Sequence, residues 1–226
     1  MLIYHRIPES KVAVHYRHII WDWNGTLLDD LDISIEVMNG LLAPRGLPLL
    51  DRARYHELFD FPVRDYYSRL GFDFARDSFE RLSEEFISAY DARRWDCRLH
   101  AGAEEALSAV TRGGATQSIL SAYRHETLVE IVAHFGLSDH FVRLAGLDNI
   151  FAGSKADLGR ALIAGLGLPP SGVVIIGDTL HDLDVARHMG VDCVLVAAGH
   201  HPAARLRARH DRVVDDLAAL QRLLGL

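Results

Sequence analysis

Residues 16–26 read YRHIIWDWNGT, a short apolar run that stops abruptly at Asp22. A brief apolar run of this kind predicts a buried strand. Asp22 would then stand at the carboxyl end of that strand, which is the edge where open parallel sheets bind their ligands. The segment therefore predicts a carboxylate that is presented to a ligand at one edge of a sheet.

The sequence after Gly102 alternates between strand-like and helical segments. The strand-like segments are TQSIL before Ser121, a less clear run at 141–144, VVII at 173–176 and CVLV at 193–196. Segments with apolar residues at helical spacing separate them. This alternation predicts an α/β fold, with a Rossmann-like parallel sheet that carries helices on both faces.

Residues 33–94 follow a different pattern, because apolar residues recur there at helical spacing and no strand-like run interrupts them. Helix-breaking residues divide this region at Pro44, Pro48, Pro62 and Gly71. The pattern predicts an all-helical insertion. We expect a core domain formed by residues 1–31 and 97–226, and an inserted helical domain formed by residues 32–96.

The composition excludes several classes of partner. The chain has 226 residues, of which 24% are charged, and a formal net charge of −7, so no basic face for nucleic acid is expected. No stretch approaches the roughly 20 apolar residues of a membrane helix. Cys97 and Cys193 are far apart and lack the spacing of metal ligands. We expect a cytoplasmic monomer or homodimer with no nucleic-acid or membrane partner.

Chemically capable side chains recur at strand ends and at the start of a helix. They are Asp22, Asn24, Thr26, Ser121, Lys155, Asp178 and Asp182. In their order and spacing they resemble the four motifs of the haloacid dehalogenase superfamily. The first motif of that family is Asp-x-Asp-Gly-Thr, which residues 22–26 match except at Asn24. The fourth is Gly-Asp with a second acid four residues later, which GDTLHD matches at residues 177–182.

The resemblance implies a chemistry for each of these positions. Asp22 would attack phosphorus and form an aspartyl-phosphate, which water then cleaves. Mg²⁺ would be the cofactor, because it prefers oxygen ligands and screens charge on the nucleophile and the phosphoryl group. The metal site implied by the family comprises Asp22, the backbone carbonyl of Asn24, Asp178 and, through a water or a hydrogen bond, Asp182. Lys155 would hold Asp22 ionised.

The same resemblance implies how a small phosphorylated substrate is bound. Ser121 would hold a phosphoryl oxygen, and Thr26, Ala122 and Arg124 would line the site. The helical insertion resembles the small cap of phosphoglycolate phosphatase-like members, and such a cap closes over the site and selects the substrate. Arg64 lies on this cap and is predicted to meet a second anionic group of the substrate.

Asn24 departs from the family pattern, in which a second Asp protonates the leaving oxygen and later activates water. An amide cannot exchange a proton in this way near neutral pH. Three interpretations remain open. The leaving group could be good enough to need no acid, as in an acyl phosphate or an anhydride. Another group, such as a histidine or a water, could substitute. Alternatively the protein could be a weakly active or inactive module that chiefly binds a phosphorylated ligand.

Three related chemistries are disfavoured. Phosphonate-cleaving members use a cap lysine, and residues 30–100 contain none. Carbon–halogen cleavage proceeds in members that lack the acidic fourth motif, and sugar-phosphate mutases depend on the second Asp. Outside the motifs, His200 and His201 are predicted to lie on a surface loop, and Trp21 and Trp23 are interpreted as packing residues.

Overall fold

The structure is a computed structural model that describes residues 16–147 and 155–226. The predicted assignment of residues 1–15 to the core domain lies outside the described part of the chain. The strands are β1 (His18–Trp21), β2 (Leu28–Asp29), β3 (Arg98–Leu99), β4 (Thr116–Arg124), β5 (Arg143–Leu147), β6 (Val173–Gly177), β7 (Asp192–Val196) and β8 (Val213–Val214).

Helices fill most of the remaining described residues. They are α1 (Leu31–Leu42), α2 (Arg52–Leu58), α3 (Val63–Leu70), α4 (Phe79–Arg93), α5 (Ala103–Arg112), α6 (His125–His134), α7 (Lys155–Leu166), α8 (Leu180–Met189), α9 (Ala203–Arg207) and α10 (Leu217–Leu224). None of these helices combines the length and the apolar character needed to cross a bilayer.

The main sheet is parallel and has the strand order β5-β4-β1-β6-β7-β8. Side chains alternate between the two faces of a strand, so successive residues of β1 enter different cores. Ile19 and Trp21 pack into an apolar cluster shared with α5, α6 and α10, whereas Ile20 packs into a cluster shared with α7, α8 and α9. The predicted α/β class with helices on both faces is therefore confirmed.

The region between β2 and β3 consists of α1 to α4 and their connections. β2 and β3 form a separate antiparallel pair where the chain leaves and re-enters the core. Two of the predicted breaks are visible as helix ends: α3 begins directly after Pro62 and ends at Gly71, whose φ of 97° suits glycine. Tyr67 and Leu82 of this region belong to the same apolar cluster as Trp21, so the insertion packs continuously against the core.

Two strand boundaries differ from the predicted ones. β4 runs on to Arg124 instead of ending before Ser121, with a register irregularity after Leu120. The edge strand β5 begins at Arg143, not at Phe141, and extends to Leu147. The apolar character of Val142 suggested an earlier start, although its side chain is 60% exposed. Periodicity alone does not separate such an exposed apolar residue from a buried one.

Candidate active site

The central strands bring two of the predicted site residues, Asp22 and Asp178, to one edge of the sheet. Trp21 is paired with Ile119 of β4 and with Ile176 of β6, so the residues that follow β1 and β6 are neighbours. The backbone N–H of Asp22 donates to the carbonyl of Ile176 at 2.8 Å. Asp22 and Asp178 therefore follow adjacent strands, Asp22 one residue and Asp178 two residues beyond the pair of Trp21 and Ile176.

Gly25 lets the chain turn tightly beneath these carboxylates. It has a φ of 76°, and a Cβ at this position would overlap the carboxylate of Asp178. The left-handed backbone and the close approach both require glycine. The next residue, Thr26, is fully buried and donates from its hydroxyl to Asp178 Oδ1 at 3.0 Å. Thr26 thus orients Asp178 and is not among the residues that line the cavity described below.

Lys155 lies at the start of α7 and is only 3% exposed. Its Nζ donates to Asp22 Oδ1 at 2.5 Å and to Asp182 Oδ1 at 2.6 Å. The other oxygen of Asp182 accepts hydrogen bonds from the backbone N–H and the hydroxyl of Thr179, which closes a capping box at the start of α8. Asp182 is therefore held by a helix end, and it holds the ammonium group that faces Asp22.

The three carboxylates carry more negative charge than the lysine can balance. Burial raises the pKa of Asp22 to about 8, against the opposing effect of Lys155. Burial likewise raises the pKa of Asp178 to about 6. For Asp182 burial is outweighed by Lys155 and by the hydrogen bonds that it accepts, so its pKa lies below the usual value. Additional positive charge beside Asp22 would favour its ionised form at neutral pH.

A divalent cation fits this arrangement. One oxygen from each of Asp22, Asp178 and Asp182 lies within 4.8 Å of the others, and all three side chains are buried. A set made only of oxygen donors is the kind that Mg²⁺ prefers. Because both oxygens of Asp182 are already engaged by Lys155 and Thr179, Asp22 and Asp178 are the better candidates for direct contact.

Asn24 does not project freely into the site. Its Nδ2 donates to Asp30 Oδ2 at 2.9 Å and to the hydroxyl of Tyr90 at 2.8 Å, and that hydroxyl donates to Asp30 Oδ2 at 2.7 Å. The backbone N–H of Gly25 donates to Asp30 Oδ1. Asp30 and Tyr90 were not predicted as site residues; an acid before a helix, such as Asp30, resembles an ordinary cap. The amide of Asn24 is thus held by a hydrogen bond to the buried carboxylate of Asp30.

The surface position predicted for His200 and His201 is wrong: the two residues are 7% and 0% exposed. The backbone N–H of His200 donates to Asp178 Oδ2 at 2.6 Å, and its ring lies 2.9 Å from the Tyr55 hydroxyl and 3.3 Å from Asp30 Oδ1. Burial alone would lower the pKa of His200, but Asp30 and Asp178 raise it to about 9. The loop is covered because the helical insertion packs over it, a long-range contact that local sequence does not reveal.

The structure places some of the predicted substrate-binding residues in the cavity and others outside it. Ser121 and Ala122 line the cavity that contains Asp22 and Lys155. Arg124 is exposed and its Nε donates to the hydroxyl of Thr127.

Arg64 does not line the cavity either. Its side chain is 55% exposed, and its guanidinium lies 4.8 Å from the centre of the Phe74 ring and 5.4 Å from that of Phe79. It lies 3.9 Å from the carboxylate of Glu80. These contacts account for Arg64 as a surface side chain that packs on aromatic rings.

The cavity has a volume of about 200 Å³ and lies between the sheet edge and the insertion. Asp22, Ser121 and Lys155 form its polar end. Aromatic and aliphatic side chains from the insertion form the other end, and they include Tyr55, Phe59, Phe61, Tyr66, Phe86 and Ile87. A phosphate-sized group at the polar end would thus carry the rest of the molecule into an apolar space.

Comparison with known proteins agrees with this architecture. The family model described as haloacid dehalogenase-like hydrolase matches residues 19–196. A 5'-nucleotidase of Pseudomonas aeruginosa is 30% identical over 220 residues, which cover 94% of this chain and 97% of that protein. An N-acetylmuramic acid 6-phosphate phosphatase of Pseudomonas putida is 28% identical and covers 82% of this chain and 85% of that protein.

The fold is also similar to that of solved structures. The crystal structure of a predicted phosphatase from Clostridium acetobutylicum has a TM-score of 0.79 to this chain, at 18% sequence identity, and the match covers 93% of this chain and 99% of that one. At this identity the likeness concerns the fold alone.

Proposed function

The chain belongs to the haloacid dehalogenase-like hydrolase family and is a phosphatase of that superfamily, and from this premise we propose that it hydrolyses a small phosphorylated metabolite with Mg²⁺ through an aspartyl-phosphate on Asp22. The observation that carries the proposal is the contact of Lys155 with Asp22 and Asp182, beside Asp178, at the polar end of the cavity.

Asp22 is the proposed nucleophile. One of its carboxylate oxygens attacks phosphorus, and the bond between phosphorus and the leaving oxygen breaks. Lys155 offsets the negative charge that accumulates as the phosphoryl group approaches a carboxylate. The Ser121 hydroxyl oxygen already accepts the backbone N–H of Tyr123 at 3.0 Å, so its O–H is available to donate to a phosphoryl oxygen.

A metal would be held by Asp22, Asp178 and, as the family pattern implies, the backbone carbonyl of Asn24, with Asp182 behind Lys155. Mg²⁺ bound there would screen the charge of the carboxylates and of the phosphoryl oxygens. Thr26 and the His200 backbone hold Asp178 in place through hydrogen bonds of 3.0 and 2.6 Å. Water then cleaves the aspartyl-phosphate and regenerates Asp22.

Magnesium dependence tests the proposal. We expect the wild-type protein to release phosphate from p-nitrophenyl phosphate with Mg²⁺, and the rate to fall at least about 10²-fold in EDTA, since the metal provides several kcal/mol of charge stabilisation. Asp178→Asn removes a proposed ligand and should weaken Mg²⁺ binding in calorimetric titration. Asp184→Asn, an exposed acid of α8 paired with Arg187, is the matched control and should bind Mg²⁺ as the wild type does. Equal rates with Mg²⁺ and EDTA would contradict the proposal.

Asn24 yields a second prediction. Asn24→Asp alone would place its carboxylate 2.9 Å from that of Asp30, so the two groups would share one proton, which would not be free for transfer to a leaving group. The exchange Asn24→Asp with Asp30→Asn preserves the hydrogen bond and creates a carboxyl group that can serve as an acid. We expect the exchange to raise kcat/KM for an alkyl phosphate by about 10²-fold, within the usual range of general acid help, and the single variant to raise it much less.

Asp30→Asn alone is the control for this exchange, and additivity of the three variants is the measurement. An equal gain from Asn24→Asp and from the exchange would show that Asp30 does not hold the amide. The ligand-binding alternative rests on the same side chain, since an amide at residue 24 cannot act as an acid. Mg²⁺-dependent ligand binding without turnover of any phosphorylated compound would favour that alternative.

A further inference from the structure

The apolar end of the cavity is built almost entirely by the insertion. Its walls come from α2, the connection to α3, α3 itself and α4, and they present rings and aliphatic chains to the space above Asp22. Several of these rings pack on one another. The centre of the Phe59 ring lies 4.9 Å from that of Tyr55 and 5.2 Å from that of Tyr66. Phe61 stacks on His181 with 4.4 Å between the ring centres. Such a surface favours a flat apolar group, because aromatic rings gain from stacking and edge contacts as well as from leaving water.

The positive charge that lines the cavity comes from Lys155 and His200. None of the arginines that the structure describes lines the cavity, and Arg52 pairs instead with Asp32 on the surface at 2.7 Å. Lys155 is occupied by two carboxylates, and His200 lies against Asp30. A carboxylate or second phosphate at the apolar end would therefore be buried without a counter-charge, which is strongly unfavourable.

The volume limits the size of the group. The cavity offers about 200 Å³ to the phosphoryl group and to the part of the substrate next to it. An apolar cavity of about 150 Å³ accommodates one benzene ring. The space thus suits a single ring beside the phosphoryl group.

Residue 24 restricts the chemistry of the leaving oxygen. The amide of Asn24 donates to Asp30 and Tyr90 and has no acidic proton to transfer. An alkoxide would leave poorly without such a proton. A phenolic oxygen, whose conjugate acid has a pKa of about 10, is a much weaker base and departs as the phenolate.

We propose that this phosphatase acts on the phosphate monoester of a single-ring phenol that carries no charged substituent. The proposal rests on the function proposed above. Asp22 attacks phosphorus, the bond from phosphorus to the aryl oxygen breaks, and its electron pair stays on the phenolate, which takes a proton from solvent. Water then attacks the phosphorus of the aspartyl-phosphate, so that the aryl ester and one water give the phenol and inorganic phosphate.

The test compares kcat/KM for matched substrates in the presence of Mg²⁺. Phenyl phosphate should exceed 4-carboxyphenyl phosphate by at least about 10-fold, although the carboxylated phenol is the better leaving group, because the added charge is buried unpaired. Phenyl phosphate should exceed cyclohexyl phosphate, which has a similar size but an alcohol leaving group, by about 10²-fold or more. A preference for 4-carboxyphenyl phosphate, phosphoglycolate or a nucleoside monophosphate would overturn the proposal.

A cation introduced into the apolar wall provides an internal check. Ile87 of α4 lines the cavity, whereas its neighbour Ser88 is exposed. Ile87→Arg should shift the ratio of phenyl to 4-carboxyphenyl phosphate at least about 10-fold towards the carboxylated substrate, because the new charge pairs with it. Ser88→Arg adds the same charge outside the cavity and should leave the ratio unchanged. Val63→Lys, on another wall, serves if Ile87→Arg does not fold.

Different results would contradict the proposed phosphatase mechanism and the proposed apolar leaving-group site. If none of these esters is hydrolysed in an Asp22-dependent manner, the proposed phosphatase mechanism is overturned, and the leaving-group proposal with it. If Asp22-dependent hydrolysis occurs but Ile87→Arg and Ser88→Arg shift the ratio equally, only the proposed apolar leaving-group site is overturned.

Discussion

Asp22→Asn is expected to lower Mg²⁺-dependent phosphate release by at least about 10⁴-fold, as does the loss of nucleophiles in other enzymes that form covalent intermediates. An amide has nearly the shape of the carboxylate but is a very poor nucleophile. The measurement is single-turnover phosphate release from p-nitrophenyl phosphate. Mass spectrometry of the acid-quenched wild type should detect one added phosphoryl group on the peptide that contains Asp22, and the variant should lack it.

The control for Asp22→Asn is Asp29→Asn, which changes an exposed acid on β2 in the same way. It should retain full activity. The variant at Asp22 should remain folded, because Lys155 keeps its contact with Asp182 at 2.6 Å. A folded Asp22→Asn protein with wild-type rates would exclude Asp22 as the nucleophile.

Lys155→Met is expected to damage both activity and stability. It leaves Asp22 and Asp182 buried without the cation that contacts both, and removing one partner of a buried ion pair typically costs about 3–5 kcal/mol. We expect the free energy of unfolding, measured with urea in EDTA, to fall by about that amount. Phosphate release should fall by about 10³-fold because the charge opposite the nucleophile is lost.

The stability loss should depend on pH. In the wild type the lowered pKa of Asp182 contributes stability that is present above the ordinary carboxyl pKa and is lost as the pH falls through the lower folded value. In Lys155→Met that contribution is absent, and protonation of the facing carboxyl groups of Asp22 and Asp182 stabilises the folded state. The difference in unfolding free energy between wild type and variant should therefore narrow as the pH falls, and narrow further below about 4, where the wild type loses the contribution of Asp182.

Arg160→Met is the matched control for Lys155→Met. It removes an exposed cation of the same helix that pairs with Asp157. Exposed pairs of this kind contribute about 0–1 kcal/mol, so a small change is expected at every pH. Equal losses in the two variants would mean that burial of Lys155 does not determine its energetic importance.

The fold class followed from local patterns alone. The run that ends at Asp22 and the alternation after Gly102 predict a parallel sheet with helices on both faces, because strands and helices have different periods of burial. The boundaries were less well determined. The exposure of Val142 and the continuation of β4 to Arg124 depend on which side chains the neighbouring strand and helices cover.

The polar end of the site could be anticipated from spacing because sheet topology brings strand ends together. Asp22 and Asp178 follow paired strands, so their proximity is a consequence of the register between β1 and β6. Asp30, Tyr90 and His200 could not be anticipated in the same way. They come from separate regions of the chain, and each residue by itself has an ordinary alternative interpretation.

The sequence by itself determined the α/β class, the order of the motifs and the residue types available for phosphoryl transfer, since these depend on local periodicity and side-chain chemistry. Only the tertiary structure decided that Asn24 is held by Asp30, that His200 is buried, and that the arginines of the insertion remain outside the cavity. The physical reason is that burial and pairing of charges depend on which distant segments pack together.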